Sequence, residues 1–368
     1  MNKRIELGLL YSRSGSYALI SEACRTGALN AIAEINADPA IPLTFAPIER
    51  DPGGNIDAYA PLCEEILRDS GARHVIGCVT SWSRKEVIPV LEKFGGTLWY
   101  AIPYEGFEAS DHIVYTHGCP NQHLLPLLGW AFARRGRRSF LIGSNYIWGW
   151  EMNRLAREVI CAAGGEVLGE RYLQLGSLEI DRMIAEIRAT RPDFVLNNLI
   201  GPSQYAFLAA YHRLGEEDPY FHAETCPILS CNLTECEMPA ILPAAAEGLV
   251  AAGPYFRGAP GWPEGAARGF GSSHEAAAWS AVHRLARLLS GHEGAETQGL
   301  SRLLAEAPGG PEGIDLATHH TALPVRIAQY ERGAFAIRED VGTVAGDPYL
   351  AHGRGGAVPR PPRLRVVS

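Results

Sequence analysis

The sequence has 368 residues, room for two domains of ordinary size, and its 46% hydrophobic and 20% charged residues are the balance of a chain with a real core. A formal net charge of −8 argues against a general nucleic-acid or membrane-surface binder, since either carries a basic face. No run approaches the roughly 18 apolar residues of a membrane helix, and none of the eight cysteines forms a C-x-x-C pair.

Ile5–Tyr11 reads as an opening strand. It is too short for the apolar region of a secretion signal and no cleavage site follows, so the expected location is cytoplasmic, or periplasmic if a leader has been removed. Glu22–Ile35 reads as a helix, Leu43–Ile48 as a strand, Ile56–Arg68 as a helix and His74–Cys78 as a strand. Arg84–Lys93 (helix) and Thr97–Ile102 (strand) complete this first half. β-rich runs separated by amphipathic segments imply βαβ units and a parallel sheet. The rhythm restarts with strand Ser139–Gly143, helix Trp150–Ala163, strand Glu166–Tyr172, helix Glu179–Thr190 and strand Phe194–Asn198. Helix Ser203–Leu214 and strands near Pro227–Ser230 and Gly248–Ala252 follow, then a long helix at Ser272–Ser290. Strands Val325–Tyr330 and Phe335–Arg338 flank the turn Arg332-Gly333, and the Pro/Gly-rich stretches 253–270 and 307–313 are loops. Two α/β halves create a cleft, and ligands of open α/β sheets sit at the carboxyl ends of strands.

Three strand ends stand out. Gly77-Cys78-Val79-Thr80-Ser81-Trp82-Ser83 places small residues and hydroxyls at a helix start, with Ser81 or Ser83 expected as the N-cap. Tyr100-Ala101-Ile102-Pro103-Tyr104 and Ser144-Asn145-Tyr146-Ile147-Trp148 are dense in aromatics. Aromatic walls with hydroxyls and amides, and no evident buried counter-charge, suit a small neutral polar ligand. The loop Ser12-Arg13-Ser14-Gly15-Ser16 lacks both G-x-G-x-x-G and the phosphate-binding G-x-x-x-x-G-K-[ST], so nucleotide binding is unsupported. No G-x-S-x-G elbow and no H-E-x-x-H is present; with three lysines, only Lys85 suits a Cys-Glu-Lys amidase, and its place on a helix argues against that. Cys226, Cys231 and Cys236, with His222 nearby, lack zinc-knuckle spacing, so no metal or cofactor is expected. His319-His320 reads as a surface pair, and Arg134, Arg135, Arg137 and Arg138 as a solvated helix end.

The segments GCVTSWSRKEVIPVLEKF, WYAIPYEGFE, GCPNQ, GSNYIWGWEMN, YLQLGS, VLNNLIGPSQYAFLAAYHRLG and DPYL resemble, in order and spacing, type I periplasmic-binding-protein-like receptors for amides and urea. The likeness covers roughly residues 5 to 350. That group contains importer receptors for urea and short amides, and a cytoplasmic amide sensor that sequesters an RNA-binding antitermination regulator of the aliphatic amidase operon; the sensor is the nearer likeness. The resemblance implies a two-lobed α/β fold with ligand in the interlobe cleft. It implies a first lobe of 1–118 with about 253–328, a second of 119–252 with about 329–352, and a tail at 353–368. It implies ligand contacts from Ser81, Tyr100, Tyr146 and the Ser230-Cys231 region, with Val79, Thr80, Ile102, Pro103, Tyr104 and Trp148 lining the pocket. Val79 replaces an aromatic of the sensor, Ile102 a threonine and Trp148 a tyrosine, which points to a bulkier or less polar amide than acetamide. The implied partner is an antitermination-type RNA-binding protein, with no direct nucleic-acid contact and no membrane insertion; a homo-oligomer stays open. An importer's receptor is the alternative. The eight cysteines favour a reducing compartment and hence the sensor, whereas VLNNLIGPSQYAF lies nearer the transport branch.

Overall fold

The computed structural model describes residues 3–351 apart from 264, 267, 268, 292, 293, 308 and 309; the tail expected at 353–368 lies outside them. The chain opens with β1 (Lys3–Leu10), whose C-terminal half is fully buried because β2 (Leu43–Arg50) and β3 (His74–Gly77) pair with it, both in parallel. β4 (Thr97–Tyr100) and β5 (Ile113–Tyr115) extend this sheet in the order β2-β1-β3-β4-β5. The connections are α1 (Ala18–Ala37), α2 (Tyr59–Asp69) and α3 (Ser81–Phe94). α1 buries Ile20, Cys24, Ala28, Ala31, Ile32 and Ile35, the three-and-four spacing of one helix face.

The second sheet runs β12-β11-β10-β9-β8-β6-β7. Its parallel part is β6 (Arg138–Ser144), β7 (Glu166–Leu173), β8 (Phe194–Asn198), β9 (Ile228–Ser230) and β10 (Val250–Gly253). α4 (Leu124–Arg134), α5 (Ile147–Ala162), α6 (Asp181–Thr190), α7 (Pro202–Glu217) and the single-turn α8 (Pro243–Ala246) flank it. The chain returns to the first lobe through α9 (Ser273–Ser290) and α10 (Leu300–Ala305). There α9 lies so close on α1 that a Cβ at Gly27 would stand 2.1 Å from the Glu275 carbonyl oxygen. β11 (Leu323–Glu331) and β12 (Ala334–Val344) close the second sheet as an antiparallel hairpin. Each sheet has its own buried apolar core, so the molecule is two α/β lobes joined where the chain crosses after β5, after β10 and before β11.

Several expectations are corrected. β5 and α4 went unforeseen: three residues are too few for a pattern, and α4 (LLPLLGWAFAR) is apolar on most sides because it is buried between the sheet and α5. The N-cap of α3 is Thr80, not Ser81 or Ser83; it accepts from the Ser83 amide while Ser83 answers at the Thr80 amide, a capping box. His319 and His320 are buried, not on the surface. Tyr115 and Thr321 bond across the first sheet's free edge, which seats both histidines there and stacks the His320 ring 4.1 Å from that of Tyr115. The return to the second lobe comes earlier than residue 329: Thr321 still bonds Tyr115, while Leu323 already pairs with Val344. The arginine cluster straddles the end of α4 and the start of β6, with Arg134 paired to Glu339 at 3.2 Å. Among the described residues no helix is long and apolar enough to cross a membrane.

Candidate functional site

The carboxyl ends of the two sheets face each other. From the first lobe come Tyr17 and Ile20 at the start of α1, Val79, Thr80 and Ser81 between β3 and α3, and Tyr100, Ile102 and Pro103 at and beyond the end of β4. His274, in the first turn of α9, joins them. The second lobe supplies Tyr146 and Trp148 at the start of α5, Ile200 after β8 and Asn232 after β9. These residues enclose a cavity of about 20 Å³, room for little more than a water molecule, so the lobes stand closed on one another. A hollow of about 540 Å³ opens elsewhere, at the far end of the second lobe beside Glu216, His222 and Glu247; no sequence-expected site residue reaches it.

Closure is written in direct contacts between the lobes. The Trp82 ring packs 5.3 Å from that of Tyr146, and Thr234 Oγ1 lies 3.1 Å from His274 Nδ1. Gly201, at φ +59°, lets the β8–α7 loop meet the β1–α1 loop: a Cβ there would stand 1.9 Å from the Ser16 carbonyl oxygen.

Behind the first-lobe wall lies a buried charge network. The Arg84 guanidinium, fully buried, pairs with Glu105 at 2.8 Å and Glu108 at 2.7 Å, and lies 4.9 Å from the centres of the Tyr100 and Tyr104 rings. Lys85 reaches Glu108 at 2.6 Å. Burial raises the Glu108 carboxyl, but Arg84 and Lys85 outweigh it and hold the group down at about 2. Because Thr80 caps α3, the Ser81 hydroxyl is free to donate to Glu105 Oε2 at 2.6 Å. Tyr100 donates to the Val79 carbonyl at 3.2 Å, and burial pushes its phenol well above the ordinary value. The buried Trp148 indole N–H has no acceptor among the described residues. Burial depresses His274 to about 4, so it is neutral at pH 7.

Eight of the eleven sequence-expected residues meet in the cavity: Val79, Thr80, Ser81, Tyr100, Ile102, Pro103, Tyr146 and Trp148. Tyr104, Ser230 and Cys231 do not. Tyr104 turns away, its hydroxyl bonding the Glu108 carbonyl at 2.9 Å and the His320 imidazole. Cys231 sits in the second-lobe core. Ser230 shapes the loop beneath the cavity, donating to Asn232 Oδ1 at 3.1 Å and accepting from the Leu233 amide at 3.1 Å, and it is Asn232 that reaches the wall. Sequence reasoning missed Tyr17, Ile20, Ile200, Asn232, His274 and the supporting Glu105. Tyr17 and Ile200 follow β1 and β8, so the strand-end rule applied to every strand finds them; His274 enters through a crossover, for which the sequence holds no local signal. Cys226 and Cys231 are buried apart from Cys236, which neighbours His274, and among the described residues no group of three or more His, Cys, Asp or Glu is placed to hold a metal ion.

Residues 5–266 match the family described as periplasmic binding protein domain. The chain belongs to that family. Solved binding proteins share its architecture over almost their full length. A solute-binding protein of an ABC transporter from Rhodopseudomonas palustris HaA2, in complex with p-hydroxybenzoic acid, superposes with a TM-score of 0.79 at 20% identity, covering 95% of this chain and 100% of that one. One from R. palustris in complex with benzoate gives 0.78 at 16% identity, with 94% and 98% covered. The branched-chain amino acid transporter substrate-binding protein LivJ from Streptococcus pneumoniae, in complex with isoleucine, gives 0.72 at 16% identity, with 93% and 99% covered. At such identities the likeness establishes the fold: this chain has the two-lobed architecture of those proteins, with the cavity above between its lobes.

Proposed function

We propose that this periplasmic-binding-protein-like chain is the solute-binding component of an importer, and that its interlobe cavity closes on a small neutral amide or urea-like molecule. The observation that carries the ligand class is the wall itself. Its polar groups are hydroxyls, an amide, an indole N–H and a neutral imidazole, and among the described residues none that line it is charged. The buried Arg84 behind the first-lobe wall is already matched by two carboxylates, so a carboxylate ligand would be desolvated without a counter-charge. The aromatic faces of Tyr17, Tyr146 and Trp148 suit a flat molecule. The importer role rests on the company of ABC-transporter solute-binding proteins of the same architecture.

Isothermal calorimetry against short amides, urea and the matching carboxylates tests the ligand class. Amides or urea are expected to bind more tightly than their carboxylates; the reverse order would overturn it. A second reading is favoured by one observation: eight cysteines stand unbridged, as suits a reducing compartment. In that reading the same closure is sensed by a protein partner, an antitermination-type RNA-binding regulator, which the ligand releases by favouring one lobe arrangement. Pull-down from the native host separates the two, with permease subunits expected for the importer and an RNA-binding regulator for the sensor.

A further inference from the structure

The polarity of a hydroxyl at a binding site depends on where its proton already points. A serine has one proton to give and two lone pairs to offer. Here the Ser81 proton is directed away from the cavity, to Glu105 Oε2 at 2.6 Å, and the other oxygen of that carboxylate is held by Arg84 at 2.8 Å. A carboxylate only accepts, so Ser81 has no proton left for a ligand. Glu105 is itself almost fully buried and cannot turn to water. Tyr100 is committed in the same sense, its proton on the Val79 carbonyl. Across the cavity, Trp148 carries a buried N–H without an acceptor among the described residues.

We propose that Glu105 is the specificity-setting residue of this site: by holding the Ser81 proton it turns Ser81 into an obligate acceptor, so that the first lobe selects a ligand bearing N–H. It is a positioning residue and acts through Ser81. This deepens the ligand class proposed above and rests on it. The required ligand is planar, with N–H groups facing Ser81 and Tyr100 and an oxygen available to Trp148. A carboxylate of the same shape would set lone pairs against the lone pairs of Ser81. Placing glutamine at 105 reverses the polarity. With its oxygen kept on Arg84, its N–H₂ donates to Ser81 and frees the serine proton to point at the ligand.

The test is calorimetry with two isosteric pairs, acetamide with acetate and propionamide with propionate, together with urea. For the native protein the amides are expected to bind more tightly. In Glu105→Gln the amide-over-carboxylate ratio should fall by about tenfold or more, the scale of one lone-pair clash exchanged for a hydrogen bond. Ser81→Ala, which leaves the Arg84–Glu105 pair intact, should lower the ratio on its own, and Glu105→Gln in that background should lower it no further. Should Glu105→Gln fail to fold, Ser81→Ala alone decides: an undiminished ratio overturns the inference. A ratio that keeps falling when glutamine is added to Ser81→Ala assigns the effect to the unmasked Arg84 charge and overturns action through Ser81. If neither amide nor urea binds the native protein, the proposed ligand class fails and the inference with it; if they bind and both variants keep the ratio, only the inference fails.

Discussion

The two walls of the cavity are built differently. The first-lobe wall is backed by charge: Ser81 and Tyr100 stand on a fully buried arginine held by two carboxylates. The second-lobe wall is backed by neutral loop contacts. Ser144 Oγ accepts from the Ile200 amide at 3.1 Å, and Asn232 is tied to Ser230 and, at 3.4 Å, to the Leu199 carbonyl. The difference teaches a division of labour. A buried ion pair has one good geometry and is costly to disturb, so it fixes the direction of hydroxyls. Aromatic rings on loop ends can approach and withdraw, so they close over whatever the first wall has oriented.

The largest expected effect comes from breaking the first wall. Arg84→Met leaves Glu105 buried without its cation and Glu108 with Lys85 alone, and should cost about 3–5 kcal/mol of stability, read as a fall in the guanidinium chloride midpoint. If the loss is confined to affinity, the charge is not structural and the contrast between the walls fails.

Breaking the second wall should act on closure instead. Gly201→Ala puts a Cβ against the Ser16 carbonyl and strains a backbone that only glycine adopts easily, at about 1–3 kcal/mol. Affinity should drop, and small-angle scattering should no longer show the smaller radius expected when ligand closes the native protein. A radius that still shrinks normally would show that this contact does not gate closure.

A buried acid on the second lobe sharpens the contrast, because among the described residues no cation pairs with it. Glu237 accepts from Tyr205 at 3.0 Å and Gln204 at 3.2 Å, and burial pushes its carboxyl up to about 8. It is therefore neutral in the fold at pH 7, while the unfolded chain ionises from about pH 4.3 upward. Its contribution is fully present below that value and is lost as pH rises towards 8. Glu237→Gln removes this loss: Tm should rise by about 2–4 °C per kcal/mol recovered at pH 8 and hardly move at pH 4. An equal change at both pH values would mean that the carboxyl is paired rather than merely buried.

The smallest effect belongs to Tyr100→Phe, which deletes a hydroxyl but keeps the ring on Arg84. Amide affinity should weaken by about 0.5–1.5 kcal/mol with Tm little changed, as calorimetry and a melting curve will show.

The alternation of strands and helices, and the residues at strand ends, are local properties. A parallel sheet places the few residues after each strand on one side, whatever the rest of the chain does. This is why Val79 to Ser81, Tyr100 to Pro103, and Tyr146 with Trp148 are legible in the sequence as neighbours at one cleft. The resemblance implies that Tyr104 lines the same wall, but a short step beyond the strand its ring turns towards His320, more than 200 residues away. What only the tertiary structure decided is non-local. His274 reaches the cavity because α9 crosses back onto α1, and His319-His320 is buried because the last crossover borrows the edge of β5. Asn232, rather than its neighbours, faces the cavity because Ser230 spends its hydroxyl on the loop. The direction of the Ser81 proton follows from Glu105, 24 residues on, which Arg84 holds in place. Such contacts depend on how two lobes and three crossings meet in space, and side-chain periodicity along one element carries no record of that.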